Sequence, residues 1–79
     1  MKAYIASIGR RTRYFSALPN AKKVMEDMYT GRADILWRSE WCDDEDDRKC
    51  IARFVVIKQL DHTEPDVVEQ TITEIEIEE

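Results

Sequence analysis

The sequence predicts an α+β domain in which one helix packs on a small antiparallel sheet of three to five strands. Residues 16–29 repeat apolar side chains at helical spacing, which predicts the helix. Residues 34–42 and 50–60 are two apolar, partly alternating runs, and the chain ends in the alternating stretch TITEIEIEE, which predicts strands. With 79 residues and 43% hydrophobic content, the chain is expected to form a single domain, residues 1–79, with a small core.

The first 15 residues predict a hairpin. The apolar run KAYIASI, residues 2–8, is typical of a strand. Gly9 and the basic residues after it predict a turn, and Tyr14 and Phe15 resume an extended segment.

The helix has recognisable ends. Ser16 is the expected N-terminal cap, and Pro19 falls in the first turn, where its missing N–H is not needed. Gly31 is the expected stop. The apolar stripe consists of Ala17, Leu18, Ala21, Val24, Met25 and Met28.

The two central runs predict an antiparallel hairpin around the acidic segment WCDDEDDRKC. If Cys42 lies opposite Cys50, the apolar residues of both strands fall together, and Trp37 and Trp41 share one face. This register also permits a cross-strand disulfide, although reduced cysteines are the preferred interpretation for a cytosolic chain. The expected opposite pairs are Trp41 with Ile51, Trp37 with Val55, and Ile35 with Ile57.

The last strand is expected to have one acidic and one apolar face. Glu74, Glu76 and Glu78 alternate with Ile75 and Ile77. Because Ile72 is out of phase with this alternation, a bulge or a strand start near Thr73 is expected.

The residues that carry chemistry do not form a recognisable catalytic or metal motif. Cys42 and Cys50 lack the tight spacing of zinc ligands, and the acidic loop lacks the central glycine of an EF-hand. His62, the single histidine, lies in a polar stretch typical of a surface residue. We therefore predict a protein that is not an enzyme and uses no metal or cofactor.

Charge divides the chain into two halves. Residues 1–39 hold eight Lys or Arg against three Asp or Glu, a net charge of +5, whereas residues 40–79 hold four against fourteen, a net charge of −10. The sequence has no apolar run long enough for a transmembrane helix and no signal peptide, so a cytoplasmic protein that does not contact membranes is expected.

The acidic half favours a basic partner. Carboxylates spaced along a loop and a strand can imitate a nucleic-acid backbone and attract the basic groove of a nucleic-acid-handling protein. Exposed tryptophans beside them would act as binding hot spots. The predicted partner-binding residues are Asp43, Asp44, Glu45, Asp46, Asp47, Trp37, Trp41, Glu74, Glu76 and Glu78.

Two alternatives belong to other classes of function. The segment GRRTRYF could contact phosphates and stack bases, but an acidic chain makes direct nucleic-acid binding the less favoured interpretation. The second alternative is a structural homodimer, joined through an edge strand that ends at Glu79. The residues of the nucleic-acid alternative are Arg10, Arg11, Arg13, Tyr14 and Phe15.

The arrangement YIASIG…YFSALPNAKKVMEDMY…TITEIEIEE resembles a broad set of small phage and prophage accessory proteins. The matching residues are Phe15-Ser16-Ala17, Ala21-Lys22-Lys23 and Ile75-Glu76-Ile77-Glu78. The resemblance covers about two thirds of the chain but not the acidic hairpin. It implies a small non-enzymatic protein that binds a host protein or ribonucleoprotein complex in the host cytoplasm, as anti-CRISPR and other counter-defence inhibitors do.

Overall fold

The computed structural model describes residues 1–43, 49–59 and 63–77 of the chain. These residues form one helix and six strands, and most of them belong to the sheet. The elements, in chain order, are β1 (Lys2–Ile8), β2 (Arg11–Phe15), α1 (Leu18–Asp27), β3 (Ile35–Arg38), β4 (Cys42–Asp43), β5 (Cys50–Ile57) and β6 (Asp66–Glu76).

All described strands belong to one antiparallel sheet with the order β2-β1-β6-β5-β3. The short strand β4 also pairs with β5, so β3 and β4 follow each other along one edge, and β2 forms the other edge. The predicted combination of one helix with an antiparallel sheet is therefore confirmed. The sheet has six strands in five positions rather than three to five strands, because the third predicted strand is interrupted.

The N-terminal hairpin is confirmed, and its turn depends on Gly9. β1 has the predicted bounds and pairs with β2 so that Ile8 lies opposite Arg11, which leaves a two-residue loop. Gly9 has a φ of 57°. Among the described residues only glycines have a positive φ, so the φ of Arg10 is negative. A positive φ at the first loop position alone is the pattern of a type II′ turn, in which glycine is strongly preferred.

The helix, Leu18–Asp27, is shorter at both ends than the predicted residues 16–29, and its C-cap is Met28. Its N-cap residue is Ala17, which offers no side-chain hydrogen bond, so the expected cap by Ser16 is wrong. Pro19 lies in the first turn as predicted. Ala21 and Met25 are buried, and they form the central core cluster together with Ala6 and Ile72 of the sheet.

The helix covers one face of the sheet. Because residues directly opposite each other in a ladder point to the same side, the strand pairings assign every strand residue to a face. The helix face carries Ala6 and Ile72, which contact α1. It also carries Arg53 and Gln70, which lie opposite each other on β5 and β6.

Two buried polar side chains fix the helix to this face. Arg53 is 6% exposed and Gln70 is fully buried. The Arg53 Nε donates to Gln70 Oε1, and both side chains donate to the Met25 carbonyl, at 3.3 Å from Arg53 Nη2 and 2.8 Å from Gln70 Nε2. Met25 lies in the last turn of α1, whose carbonyls have no partner within the helix. The sheet therefore supplies hydrogen bonds that the helix end lacks.

The last strand runs without a bulge through the middle of the sheet. β6 pairs continuously with β1 over residues 70–76 and with β5 over residues 66–73. The bulge expected near Thr73 is therefore wrong: Ile72 faces the helix, while Ile75 faces the opposite side, so both faces of β6 carry apolar residues. Within the described residues β6 lies between β1 and β5 and is not an edge strand, and the homodimer expected to form through it stays a prediction.

The central hairpin is confirmed, but its register is not the predicted one. Ile35 lies opposite Ile57 as expected, yet a bulge follows, and Trp37 lies opposite Val56 instead of Val55. Farther along, Cys42 lies opposite Ala52 instead of Cys50.

Contacts with the end of the helix accompany these register shifts. Arg38 Nη1 donates to the Tyr29 carbonyl at 3.2 Å, and Trp41 Nε1 donates to Glu26 Oε1 at 2.8 Å. Both side chains therefore turn toward the helix, which an uninterrupted period-two strand does not allow, because residues 38 and 41 would point to opposite faces.

Ser39 closes the gap between β3 and β4. Its backbone N–H donates to the Phe54 carbonyl at 2.8 Å, and its Oγ accepts a bond from the Phe54 N–H at 2.7 Å. The hydroxyl thus replaces the ladder partner that the interrupted strand no longer supplies. Unpaired backbone groups in a sheet are costly, so this bond helps hold the β3–β4 edge on β5.

We expect Ser39→Ala to lower the free energy of unfolding by about 1 kcal/mol, because the Phe54 N–H loses its acceptor. The matched control is Ser16→Ala, which removes an exposed hydroxyl that does not cap the helix and should change stability by less than about 0.5 kcal/mol. Chemical denaturation of both variants measures the difference. Equal effects of the two substitutions would contradict the role given to Ser39.

Candidate functional site

The face of the sheet opposite the helix is not covered by any described element. We call it the open face. Its strand residues, assigned by the pairings, are Ala3, Ile5, Ser7, Thr12, Tyr14, Trp37, Cys42, Cys50, Ala52, Phe54, Val56, Val67, Glu69, Thr71, Thr73 and Ile75.

One end of the open face is an apolar cluster. Trp37 of β3 lies opposite Val56 of β5, which lies opposite Val67 of β6, and together they form a row across three strands. Phe54 lies two residues from Val56 on the same strand. Trp37 is 57% exposed, Val67 58% and Phe54 41%, so the cluster presents large apolar side chains to solvent. Contiguous exposed apolar surface of this kind marks interaction sites in folded proteins.

Glu69 places one negative charge beside this cluster. It lies directly opposite Phe54 on the open face and is exposed. It is the single charged residue among the described strand residues of that face, although 37% of the whole chain is charged. Within the described ranges, no cationic side chain lies within ion-pair distance of Glu69. Its carboxylate is thus available to a partner's Lys or Arg.

The predicted acidic surface lies partly on the other side of the sheet. Glu74, Glu76 and Asp43 point to the helix face, since they lie opposite Tyr4, Lys2 and Ile51. The other predicted acidic residues, Asp44, Glu45, Asp46, Asp47 and Glu78, lie outside the described residues.

Two of the acidic side chains already have partners in the chain. Glu74 Oε1 lies 3.5 Å from the Lys2 Nζ and 3.4 Å from the Tyr4 hydroxyl. Glu76 Oε2 lies 3.9 Å from the Met1 amino group. The basic and acidic halves therefore meet at this end of the sheet, and part of the negative charge is neutralised within the protein itself.

Trp37 and Trp41 do not share a face, contrary to the prediction. Trp37 lies on the open face, whereas Trp41 is half-buried against the helix side. The Arg53 guanidinium lies 5.4 Å from the centre of the Trp41 ring, and the indole N–H is bonded to Glu26. Trp41 is therefore part of the polar network that holds the helix, while Trp37 is free to contact a partner.

The residues of the nucleic-acid alternative are divided between the two faces of β2. Arg11, Arg13 and Phe15 face the helix side, and Tyr14, which is 70% exposed, faces the open side. Arg10 lies in the hairpin turn. The two aromatic rings therefore do not form one stacking platform, and the Arg13 guanidinium instead lies 5.4 Å from the centre of the Phe15 ring.

The two cysteines are free thiols, so the disulfide considered from the sequence is not formed. Cys50 is buried and lies opposite Thr73, while Cys42 is exposed and lies opposite Ala52. The register shift places the two thiols diagonally instead of directly across from each other, which is unfavourable for the short Cα separation of a disulfide. Among the described residues, no group of three potential ligands is arranged to hold a metal ion.

Three described groups have displaced pKa values, namely those of Arg32, Asp34 and Arg53. A hydrogen bond from Arg32 lowers the pKa of the Asp34 carboxyl, and the same exposed pair raises the pKa of Arg32. Burial lowers the pKa of the Arg53 guanidinium, and the Glu26 carboxylate opposes that effect. These shifts follow from the exposed pair of Arg32 with Asp34 and from the burial of Arg53 beside Glu26.

Sequence reasoning missed Arg53, Gln70 and Glu69. Arg53 and Gln70 occupy core-facing positions, each two residues before a buried apolar residue of the same face, Val55 and Ile72. The signal that could have identified both residues is a polar side chain at a position where the strand pattern predicts a buried apolar one. Glu69 could be found only after the faces of β6 were known.

No helix among the described residues is long and apolar enough to cross a bilayer. No protein-family model, no curated protein and no solved structure matches the chain. The resemblance to phage accessory proteins therefore stays a prediction.

The two tryptophans provide a direct check of the face assignment. In Trp41→Phe, the remaining Trp37 should emit at longer wavelength and be quenched strongly by acrylamide. In Trp37→Phe, the remaining Trp41, packed against Arg53 and Glu26, should be quenched much less. Equal quenching constants in the two variants would mean that the tryptophans do not lie in different environments.

Proposed function

We propose that this protein acts by binding another protein through the open face of its sheet, and that it does not catalyse a reaction. The observation that carries the proposal is the exposed cluster of Trp37, Phe54 and Val67 on a face with one charged residue. Depletion of charge and enrichment of aromatic residues are features of interface cores, and tryptophan is the side chain most enriched in binding hot spots.

The exposed area supports the same proposal. The chain exposes 6192 Å², whereas a compact monomer of 9.3 kDa is expected to expose about 5,000 Å². The chain is therefore less compact than a typical monomer of its mass. A protein with so small a core gains stability when a partner covers its open face.

The partner that fits this face has an apolar patch and a basic residue. The apolar patch would pack on Trp37 and Val67, and a Lys or Arg beside it would pair with Glu69. The net charge of −5 would attract a basic surface from a distance and raise the association rate, with an effect that falls as salt increases. In this proposal the acidic residues steer the partner, while the apolar cluster supplies most of the binding energy.

The proposed target is a host protein or ribonucleoprotein complex with a basic, nucleic-acid-binding surface. Binding would occlude that surface, as an anti-CRISPR or other counter-defence inhibitor does. The support for this target class is the acidic composition and the resemblance in the sequence, which agree with the chemistry of Glu69 and the open face.

The proposal is tested by affinity capture from a bacterial lysate, with bound proteins identified by mass spectrometry. We expect Trp37→Ser and Val67→Ser to reduce capture of the enriched proteins by at least about tenfold, because both lie in the apolar cluster. Glu69→Gln should weaken binding to a smaller extent, and added salt should slow association of the wild-type protein.

The control is Met28→Ser, which truncates an exposed apolar residue, 47% exposed, on the helix side of the molecule. It should keep binding within about twofold, because isolated exposed apolar residues contribute little. Retained capture by the Trp37 and Val67 variants would overturn the proposal. A concentration-dependent dimer that is abolished by Trp37→Ser would also overturn it, because a second copy would then occupy the open face.

A further inference from the structure

A second candidate site lies on the opposite side of the molecule, between α1 and the edge strand β2. A groove of about 430 Å³ opens there, lined by residues of β1, β2 and α1. This volume is within the range of sites for small molecules. We call it the arginine groove.

The floor of the arginine groove is apolar. Ile8 and Phe15 line it from the hairpin, and Val24 and Met28 line it from the helix. Ile8, Phe15 and Val24 are half-buried, while Met28 is 47% exposed. These four side chains offer a continuous surface to an apolar chain.

The rim of the groove is positively charged. Arg11 and Arg13 are two residues apart on β2, so their side chains leave the same face of the strand. Both are exposed, and within the described ranges no carboxylate lies within ion-pair distance of either. The Arg13 guanidinium lies over the Phe15 ring, at the boundary between the charged rim and the apolar floor.

We propose that the arginine groove binds an amphiphilic anion, namely a free medium-chain carboxylate. The carboxylate would accept paired hydrogen bonds from the planar guanidinium groups of Arg11 and Arg13, a geometry that arginine favours. The alkyl chain, about ten carbons long in a groove of this size, would lie on Val24, Met28 and Phe15. A nucleic acid offers phosphates but no matching alkyl chain, so it leaves the apolar floor unfilled.

The arginine groove is on the helix face, whereas the proposed protein-binding surface is the open face. The residues on which the two proposals rest do not overlap, so each proposal succeeds or fails without the other.

The test is isothermal titration of the 79-residue chain with decanoate and decyltrimethylammonium below their micelle concentrations and with decanol below its solubility limit. We expect decanoate to bind at least about tenfold more tightly than decanol, because two charge-assisted contacts are lost with the alcohol. The cationic amphiphile should not bind. Shortening the acid should weaken binding by up to about fourfold per methylene group removed.

The variants separate a specific site from general attraction to a basic surface. The double variant Arg11→Gln and Arg13→Gln should lose the preference for decanoate over decanol. The double variant Arg10→Gln and Lys23→Gln removes the same charge outside the groove and should keep it. Within the described residues none of these four side chains makes a hydrogen bond or an ion pair, although Arg13 lies over the Phe15 ring. Circular dichroism checks that the fold is retained.

Three results would overturn the proposal. They are an absence of decanoate binding, equal binding of decanoate and decanol, and equal losses in the two double variants. Displacement of decanoate by a single-stranded oligonucleotide that binds more tightly would assign the rim to nucleic acid and would overturn it as well.

Discussion

A buried guanidinium joins the helix of this protein to its sheet. Arg53 comes from the middle of β5, is almost completely removed from solvent, and donates to Gln70 and to the Met25 carbonyl. Burying a charge is costly unless it is hydrogen-bonded and compensated, and here the cost is offset by these bonds, by the Trp41 ring and by the Glu26 carboxylate. The positive charge also lies near the C-terminal end of the helix, where the helix dipole favours it. These bonds hold the end of the helix on this face of the sheet.

This docking leaves the other face of the sheet open. With one helix for a sheet five strands wide, the apolar side chains of Trp37, Phe54 and Val67 remain in solvent. A face that is apolar and nearly free of charge, in a chain rich in charged residues, is better suited to binding a protein than to solvation. The sequence indicated Trp37 as a binding residue, but it could not show that Trp41 belongs to the helix side. That difference depends on a contact with Glu26, fifteen residues earlier in the chain.

Much of the fold follows from local pattern. The first strand, the turn at Gly9, the helix and the antiparallel pairing of Ile35 with Ile57 are all readable from alternation, helical spacing and glycine placement. The interruption of the third strand cannot be read from local pattern, because it goes with hydrogen bonds to distant groups. Arg38 donates to the Tyr29 carbonyl just after the helix, and Ser39 accepts a bond from Phe54 of β5. Local periodicity predicts elements, whereas long-range hydrogen bonds decide their register.

The central claim is that the Arg53 guanidinium is a buried, hydrogen-bonded connection between helix and sheet. Hydrogen exchange of arginine Nε–H groups, followed by NMR, measures this directly. The account predicts that the Arg53 Nε–H exchanges at least about tenfold more slowly than that of the exposed Arg11, because its hydrogen must first be released from Gln70. An Arg53 Nε–H that exchanges as fast as that of Arg11 would contradict the account.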